Sequence, residues 1–231
     1  MTPGWHWRTY DFPQSSYADL AIERPLGPAA DTVAYVVPER INDAWIAQFQ
    51  VTCPQFPHFA FGLNVQAGRD INFVEPGRSA LLAVAASADF RPTDKLRATT
   101  AYNLVRRDRA FDGTRFSTQH IARVKLEYQL SRPIFLRLVG QYAADEQASL
   151  LDPATGFPLL RQDGSGAYAA ALRRSSNELQ MDCLFSYRPG PGTVIFFGYG
   201  SNLSEPDAFQ FDNLKRTKDG FFVKLSYLFR L

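Results

Sequence analysis

The residue types that could carry out chemistry are few in this chain and widely separated. Its three histidines, His6, His58 and His120, fall in three different predicted strands, so only folding could bring them to a Ser-His-Asp arrangement. The sequence contains no phosphate-binding loop, nucleophile elbow or zinc motif. We therefore predict that the chain is not an enzyme and has no catalytic or cofactor-binding residues. A hydrolase embedded in a barrel is the alternative.

Two pairs of carboxylates could in principle hold a metal ion. Asp145 and Glu146 are adjacent where one long loop begins, and Glu205 and Asp207 flank Pro206 in the next long loop. A calcium site needs several oxygen ligands brought together. Because carboxylates in loops are mostly solvated, we predict no metal site and no cofactor, with calcium held by these loops as the alternative.

Apolar and polar residues alternate along most of the chain, which is the pattern of a strand with one apolar face. The alternation is clearest at 121–130, 134–142, 178–188 and 221–231, weaker at 43–52, 57–67, 79–90, 95–106 and 193–200, and poorest at 4–12 and 16–24. Helical periodicity does not extend over any useful length. The pattern predicts one all-β domain over residues 1–231 with about eleven strands, within a range of 10–12.

The composition fits a transmembrane barrel better than a helical membrane protein. Aromatic residues make up 14% of the chain, yet the mean hydropathy is only −0.22, as expected where only alternate residues meet lipid. No apolar run approaches the ~20 residues that a spanning helix needs. The net charge is +2, with no basic stripe interleaved with aromatics, so we predict no nucleic-acid partner.

The predicted connections alternate between short and long. Tight turns are expected at 13–15, 53–56, 91–94, 131–133 and 189–192, and the intervening connections at 24–42, 68–77, 107–115, 145–177 and 202–219 are longer. Outer-membrane barrels have short periplasmic turns and long external loops. We therefore predict an antiparallel up-and-down transmembrane β-barrel, with all the tight turns at the end where Leu231 lies.

The face opposite the apolar face carries charge, and we predict that it lines the lumen. A three-residue loop, 131–133, would place Leu130 opposite Ile134 and Glu127 opposite Arg137 as a cross-strand ion pair. If the apolar face pointed inward instead, the chain would be a soluble ligand-binding β-barrel, which is a further alternative. More of the predicted lumen-facing charges are basic than acidic. They are Arg97, Arg123, Lys125, Glu127, Arg137, Asp182, Lys224 and Arg230.

The C-terminal strand resembles the closing strand of bacterial outer-membrane barrels. In that family the assembly signal reads polar-x-Gly-x-x-aromatic-x-apolar. The corresponding positions here are Lys224, Ser226, Phe229 and Leu231, with serine where glycine is usual. The resemblance implies insertion by the barrel-assembly machinery into outer-membrane lipid.

Four longer segments, 119–130, 135–142, 191–200 and 219–230, resemble an uncharacterised bacterial domain family of unknown function. The phrase Gly68-Arg69-Asp70-Ile71-Asn72-Phe73 also fits this family. Its members are predicted outer-membrane barrels that usually follow a family-9-like carbohydrate-binding domain. The resemblance implies a porin-like envelope location and glycans as partners, and it carries no catalytic residues.

These observations predict a bacterial outer-membrane barrel that acts as a pore or an anchor, linked to carbohydrate binding or uptake. The first residues, 1–5, do not read as a signal peptide. An odd count of eleven strands would leave the two sheet edges at opposite ends, whereas single-chain barrels normally have an even number. We therefore expect the chain to be an incomplete C-terminal portion, with a signal peptide and further strands upstream.

Overall fold

The computed structural model describes residues 2–26, 29–53 and 56–228, and it is all-β apart from one short 3-10 helix. Ten strands form one antiparallel sheet in the order β1-β4-β5-β6-β7-β8-β9-β12-β13-β14, and four form a second sheet in the order β11-β10-β2-β3. The strands are β1 (Thr2–Tyr10), β2 (Leu20–Leu26), β3 (Ala29–Ala34), β4 (Ile41–Thr52), β5 (Phe59–Asn72), β6 (Gly77–Thr93), β7 (Leu96–Arg109), β8 (Arg115–Ser131), β9 (Ile134–Gln147), β10 (Leu159–Gln162), β11 (Tyr168–Ala170), β12 (Arg174–Gly190), β13 (Thr193–Glu205) and β14 (Lys215–Tyr227), and the 3-10 helix is Gln14–Tyr17.

The large sheet confirms the predicted antiparallel, up-and-down arrangement. Each of its strands pairs with the next sheet strand along the chain, with β2 and β3 inserted before β4 and with β10 and β11 inserted before β12. The predicted strand at 4–12 is present as β1. The predicted strand at 16–24 corresponds to β2, which lies in the small sheet, so its assignment to the barrel was wrong.

The three two-residue turns of the large sheet lie at the same end of it. The turns at 94–95, 132–133 and 191–192 lie at one end, which we call the turn end, and the connection that includes 53 and 56–58 also lies there. The connections 73–76, 110–114, 148–173 and 206–214 lie at the opposite end, the loop end. The predicted sorting is thus confirmed for the tight turns at 91–94, 131–133 and 189–192. It is not confirmed for 53–56, because the connection 53–58 is longer than the loop-end connections 73–76 and 110–114. Pro54, Gln55 and Leu231 lie outside the described residues.

The predicted turn at 13–15 is the exception, because it lies at the loop end. Tyr10, at the end of β1, is opposite Ile41, whereas Thr2 is opposite Gln50 at the turn end. The chain leaves the sheet after β1 to enter the 3-10 helix and β2, so no β1–β2 hairpin forms there. Within the described residues the large sheet therefore has ten strands, inside the predicted range of 10–12, and β1 begins at the turn end. The specific count of eleven, which put the two sheet edges at opposite ends, was wrong.

The β8–β9 register is as predicted apart from its turn. Glu127 is opposite Arg137, and Leu126 is opposite Leu138. The turn, however, places Ser131 opposite Ile134, so the predicted Leu130–Ile134 pair was wrong. A bulge between residues 129 and 131 absorbs the extra residue. The rest of the hairpin therefore keeps its predicted faces.

The hydrophobic core lies at the loop end, around a unit that we call the cap. The cap comprises the small sheet and the 3-10 helix. One cluster of buried side chains joins the cap to β8, and its members are Leu20, Ile22, Tyr35, Phe116, Leu150 and Leu159. A second cluster contains Phe12, Ile41, Ala44 and Ile71. The large sheet is thus not covered by a second layer along its length.

The large sheet is open between β1 and β14, which are its two edges. No strand pairing joins these two edges within the described residues. Side chains of β14 are exposed on both faces, as shown by Phe221 at 76% and Phe222 at 54%. Both faces of this strand are therefore accessible.

Candidate functional site

The register divides the large sheet into two chemically different faces. Opposite residues of an antiparallel pair share a face, and successive residues alternate between faces. The face that carries Leu126, Tyr128 and Leu138 is called the outer face, and the face that carries Glu127 and Arg137 is called the inner face.

Exposed apolar side chains cover the outer face from one sheet edge to the other. They are Trp5, Trp7, Phe49, Phe59, Phe61, Phe90, Tyr102, Val124, Leu126, Tyr128, Leu136, Leu138, Met181, Phe185, Tyr187, Phe197, Phe221, Val223, Leu225 and Tyr227. Monomeric soluble proteins rarely expose a contiguous apolar patch larger than a few hundred Å². A face this extensive is unfavourable in water and requires an apolar neighbour.

The two faces differ in exposure along the middle of β8. The side chains of Lys125 and Glu127, on the inner face, are 30% and 21% exposed. Leu126 and Tyr128, on the outer face, are each 39% exposed although they are apolar. The outer face therefore leaves apolar side chains uncovered at these positions.

Glycines on the inner face allow other groups to approach closely. A Cβ on Gly198 would overlap the ring of Phe222, and a Cβ on Gly200 would lie 2.8 Å from Oδ1 of Asp182. The absence of a side chain at these two positions lets the aromatic ring and the carboxylate lie against the strand.

The predicted lumen-facing charges lie on this inner face. Arg97 is opposite Glu127, which is opposite Arg137, and these three residues form one row across β7, β8 and β9. Arg123 and Lys125 follow on the same face of β8, with Asp182 on β12 and Lys224 on β14. Ser226 of the predicted assembly signal also lies on the inner face. Arg230, Phe229 and Leu231 lie outside the described residues.

The predicted ion pair between Glu127 and Arg137 was wrong, although the two residues are directly opposite. Glu127 instead forms an ion pair with Lys125, with Nζ and Oε2 3.0 Å apart. These two residues lie two positions apart on the same face of one strand, so the flexible lysine side chain can reach the carboxylate. Arg137 has no ion pair within the described residues.

A second acidic centre on the inner face lies near the turn end. Asp89 accepts hydrogen bonds from Nε of Arg97 at 2.8 Å and from Nε of Arg91 at 2.9 Å. One carboxylate thus offsets two guanidinium groups. The inner face keeps an excess of positive charge.

The most buried ion pair among the described residues lies at the loop end, and sequence reasoning missed it. Arg109 donates two parallel hydrogen bonds to Glu75, each of 2.8 Å, and the two side chains are 5% and 2% exposed. Arg109 also donates to the carbonyl of Ser149 at 2.6 Å, and Leu151 N–H donates to Glu75 at 2.9 Å. The pair therefore ties three separate loop-end connections together. The two residues are 34 positions apart, so no local pattern signals the contact.

Aromatic packing also holds Arg109 in place. Its guanidinium carbon is 5.5 Å from the ring centroid of Phe116. A bulge at the β7–β8 register shift places 115–117 opposite only two residues of β7, and such a bulge can redirect a side chain. Phe116 belongs to the buried cluster that joins the cap to β8.

The three histidines do not come together. His120 accepts or donates a 2.6 Å hydrogen bond with the hydroxyl of Tyr102 and packs edge-on against Phe209. His58 Nδ1 is 2.8 Å from the carbonyl oxygen of Arg91 at the turn end, and His6 is on β1. The described residues contain no hydrogen bond between a histidine and a carboxylate.

The four carboxylates considered as calcium ligands also lie apart. Glu146 accepts from Arg173 at 2.8 Å, and Asp145 accepts from Gln119 at 3.3 Å. Glu205 is only 4% exposed and accepts from the N–H of Asn213 at 3.1 Å. The prediction that it is a solvated loop charge was therefore wrong, whereas Asp207 is exposed. No group of three or more His, Cys, Asp or Glu residues converges anywhere in the described ranges.

The 206–214 connection folds over part of the outer face at the loop end. Phe211 packs against Tyr142, with ring centroids 5.2 Å apart, and Phe209 packs against His120. Ala208 N–H donates to Oγ of Ser175 at 2.8 Å. The exposed apolar face therefore ends below this connection.

Comparisons of the chain with models of protein families, with curated proteins and with solved structures find no match. The resemblance to the uncharacterised barrel family therefore stays a prediction. No helix in the described part of the chain is long and apolar enough to cross a membrane.

Proposed function

We propose that this chain is a bacterial outer-membrane β-barrel domain that serves as a pore or an anchor in the cell envelope. The observation that carries the proposal is the outer face, which exposes at least one large apolar side chain on each of the ten strands of the large sheet. Lipid chains are the apolar neighbour that such a face needs.

The strand lengths support this proposal. Eight strands, β5 to β9 and β12 to β14, contain 13 to 17 residues each. A tilted transmembrane strand needs about 9–11 residues. These strands can therefore cross the hydrocarbon region and extend beyond it at the loop end.

The position of aromatic side chains gives independent support. Phe59 is opposite Phe90 next to the turn end, and Tyr128, Tyr187 and Tyr227 lie at the same end of their strands. Aromatic side chains favour the membrane–water interface because they combine an apolar body with a polar or polarisable edge. A soluble ligand-binding barrel would instead place its apolar face inward and cover it, whereas here the apolar side chains of the outer face are exposed.

The inner face sets the preference of the proposed pore. Arg123, Arg137 and Lys224 lack an ion pair within the described residues, so the inner face carries an excess of positive charge. A basic lumen favours anionic and neutral polar solutes over cations. A role in glycan uptake or attachment follows from the family resemblance alone, and it is part of the proposal on that basis.

Vesicle flotation tests the proposal. The chain is refolded in the presence of phospholipid vesicles, washed with urea and centrifuged through a density gradient. We expect the wild-type chain and the Gln141→Arg variant to float with the vesicles, because residue 141 is on the inner face. Leu126→Arg should float less, because it places a charge on the outer face. Recovery of the wild-type chain in the soluble fraction would overturn the proposal.

A further inference from the structure

One row of polar side chains crosses five neighbouring strands on the inner face. Arg123 is opposite Gln141, and Gln141 is opposite Gln180. Gln180 is in turn opposite Asn202, and Asn202 is opposite Lys218. We call these five residues the polar row. Neighbouring strands are about 4.8 Å apart, so the backbones of the two end residues are about 19 Å apart along the sheet.

The two cations of the polar row are not neutralised by the protein. Neither Arg123 nor Lys218 forms an ion pair with any described residue. Two carboxylates of β12, Glu178 and Asp182, flank Gln180 on the same face, and Asp182 accepts a 2.9 Å hydrogen bond from Gln180. Asp219 forms an ion pair with Arg216 at 3.5 Å. Arg137, which also lines this region, is unpaired among the described residues. The row therefore presents unused cationic donors to whatever occupies it.

The polar row lies along two adjoining clefts with room for a ligand. The first, of about 540 Å³, is lined by Arg123, Gln180, Asn202 and Lys218, and also by Asp182, Asp219 and Phe222. The second, of about 280 Å³, is lined by Gln141 and shares Gln180 and Asn202 with the first. The ring of Phe222 rests over Gly198, where a side chain would displace it. The first cleft thus places an apolar ring next to a line of hydrogen-bonding groups.

We propose that the polar row binds an extended acidic oligosaccharide. A side-chain amide offers a donor and an acceptor, which matches the two capacities of a sugar hydroxyl. The guanidinium and ammonium groups at the ends bind carboxylates through charge-assisted hydrogen bonds. An aromatic ring can cover the apolar face of a sugar ring. The row extends over five strands, about 19 Å along the sheet, which is longer than one phosphate or one monosaccharide.

This inference rests on the proposed function in one respect, because it takes the inner face to be the lumen of the barrel. It deepens that function by specifying the chemical class of the ligand. The two are tested separately, since binding is measured in detergent micelles and membrane insertion is measured with vesicles.

Isothermal titration calorimetry with two tetrasaccharides tests the inference. The folded chain in neutral detergent micelles is titrated with tetragalacturonate and, separately, with uncharged cellotetraose. We expect tetragalacturonate to bind at least about tenfold more tightly, because each charge-assisted contact contributes about 1.5–3 kcal/mol. Raising the salt concentration should weaken the binding of tetragalacturonate and leave that of cellotetraose unchanged.

Two charge-removing variants and one control locate the site. Arg123→Gln and Lys218→Gln should each weaken tetragalacturonate binding about tenfold or more. Arg132→Gln removes the same charge from an exposed position in the 132–133 turn, outside both clefts, and should leave binding unchanged. Absence of tetragalacturonate binding, equal affinity for both tetrasaccharides, or equal effects of all three substitutions would overturn the inference. Binding by a chain that fails to float with vesicles would overturn the proposed function and leave the polar row as a ligand site.

Discussion

Replacing Glu75 by glutamine should loosen the loop end far more than its single-atom difference suggests. In the native protein the Glu75 carboxylate receives two 2.8 Å hydrogen bonds from Arg109 and one 2.9 Å hydrogen bond from Leu151 N–H. The glutamine side chain is neutral, and its NH2 group would face a donor of Arg109 or of Leu151. The substitution therefore leaves a buried guanidinium without its counter-charge.

The burial of this pair sets the size of the effect. The side chains of Arg109 and Glu75 are 5% and 2% exposed, so water cannot replace the lost carboxylate. Removing one partner of a buried ion pair typically costs about 3–5 kcal/mol. We expect a loss in this range for Glu75→Gln, expressed at the loop-end connections that the pair ties together.

Asp19→Asn provides the matched control for this substitution. Asp19 pairs with Arg161 at 3.2 Å within the same cap, but the two side chains are 48% and 45% exposed. A surface pair of this kind contributes about 0–1 kcal/mol. Both variants replace a carboxylate by an amide, so their difference isolates the effect of burial.

Hydrogen exchange and urea unfolding together measure this prediction. In Glu75→Gln three backbone amides should lose protection from exchange. The amide of Leu151 donates to the Glu75 carboxylate in the native protein, and the amides of Ala148 and Leu150 donate to backbone carbonyls nearby. Amides in the middle of the large sheet should change less, because these strands are held by their own ladders. Equal losses of stability in Glu75→Gln and Asp19→Asn would refute the reasoning.

The cap and the two sheet faces are probed by three other substitutions and two matched controls. Burial raises the pKa of Tyr35 above its ordinary value of 10.0. The stability that the neutral phenol contributes is therefore present below pH ~10 and is lost at higher pH. In alkaline unfolding titrations Tyr35→Phe should reduce this loss of stability. Leu138→Arg should lower the free energy of unfolding in micelles by about 2–4 kcal/mol, and Gln141→Arg far less. In Gly68→Ala the added Cβ would overlap a backbone carbonyl of β4, so the free energy of unfolding in urea should fall by about 1–3 kcal/mol. Gly140→Ala is the control, because the space around its Cβ is open, and it should change the free energy of unfolding by at most about 0.5 kcal/mol.

The alternation of residue types predicted most of the large sheet because it is a local property of each strand. Whether a residue number is odd or even decides on which face of β8, β9 or β12 its side chain lies. The same rule placed Glu127 opposite Arg137. The bulge at 129–131 was not predictable in this way. A bulge and a longer loop both keep the flanking residues on the same faces. The choice between them depends on the turn geometry.

The cap was missed because its strands are short and pair with distant partners. β10 and β11 contain four and three residues, and they lie in a segment that alternation presents as a long loop. Leu159 on β10 is fully buried against residues of β2 and β8. An apolar residue in a predicted loop is the only local signal of this contact, and it does not identify the partner.

The choice of ion-pair partners was also beyond the sequence. Register fixes which residues are neighbours, but a flexible lysine can reach along its own strand as easily as across to the next. Glu127 therefore pairs with Lys125 although Arg137 is directly opposite. The same limit applies to Glu75 and Arg109, whose contact depends on the packing of several loops.

Quenching of tryptophan fluorescence by brominated lipid chains tests the central claim most directly. The chain has three tryptophans, and all of them, Trp5, Trp7 and Trp45, lie on the outer face near one sheet edge. In vesicles of brominated phosphatidylcholine our account predicts strong quenching relative to unbrominated vesicles, together with weak quenching by iodide in the aqueous phase. Strong iodide quenching with no effect of brominated lipid would show that the outer face meets water, and it would contradict the account.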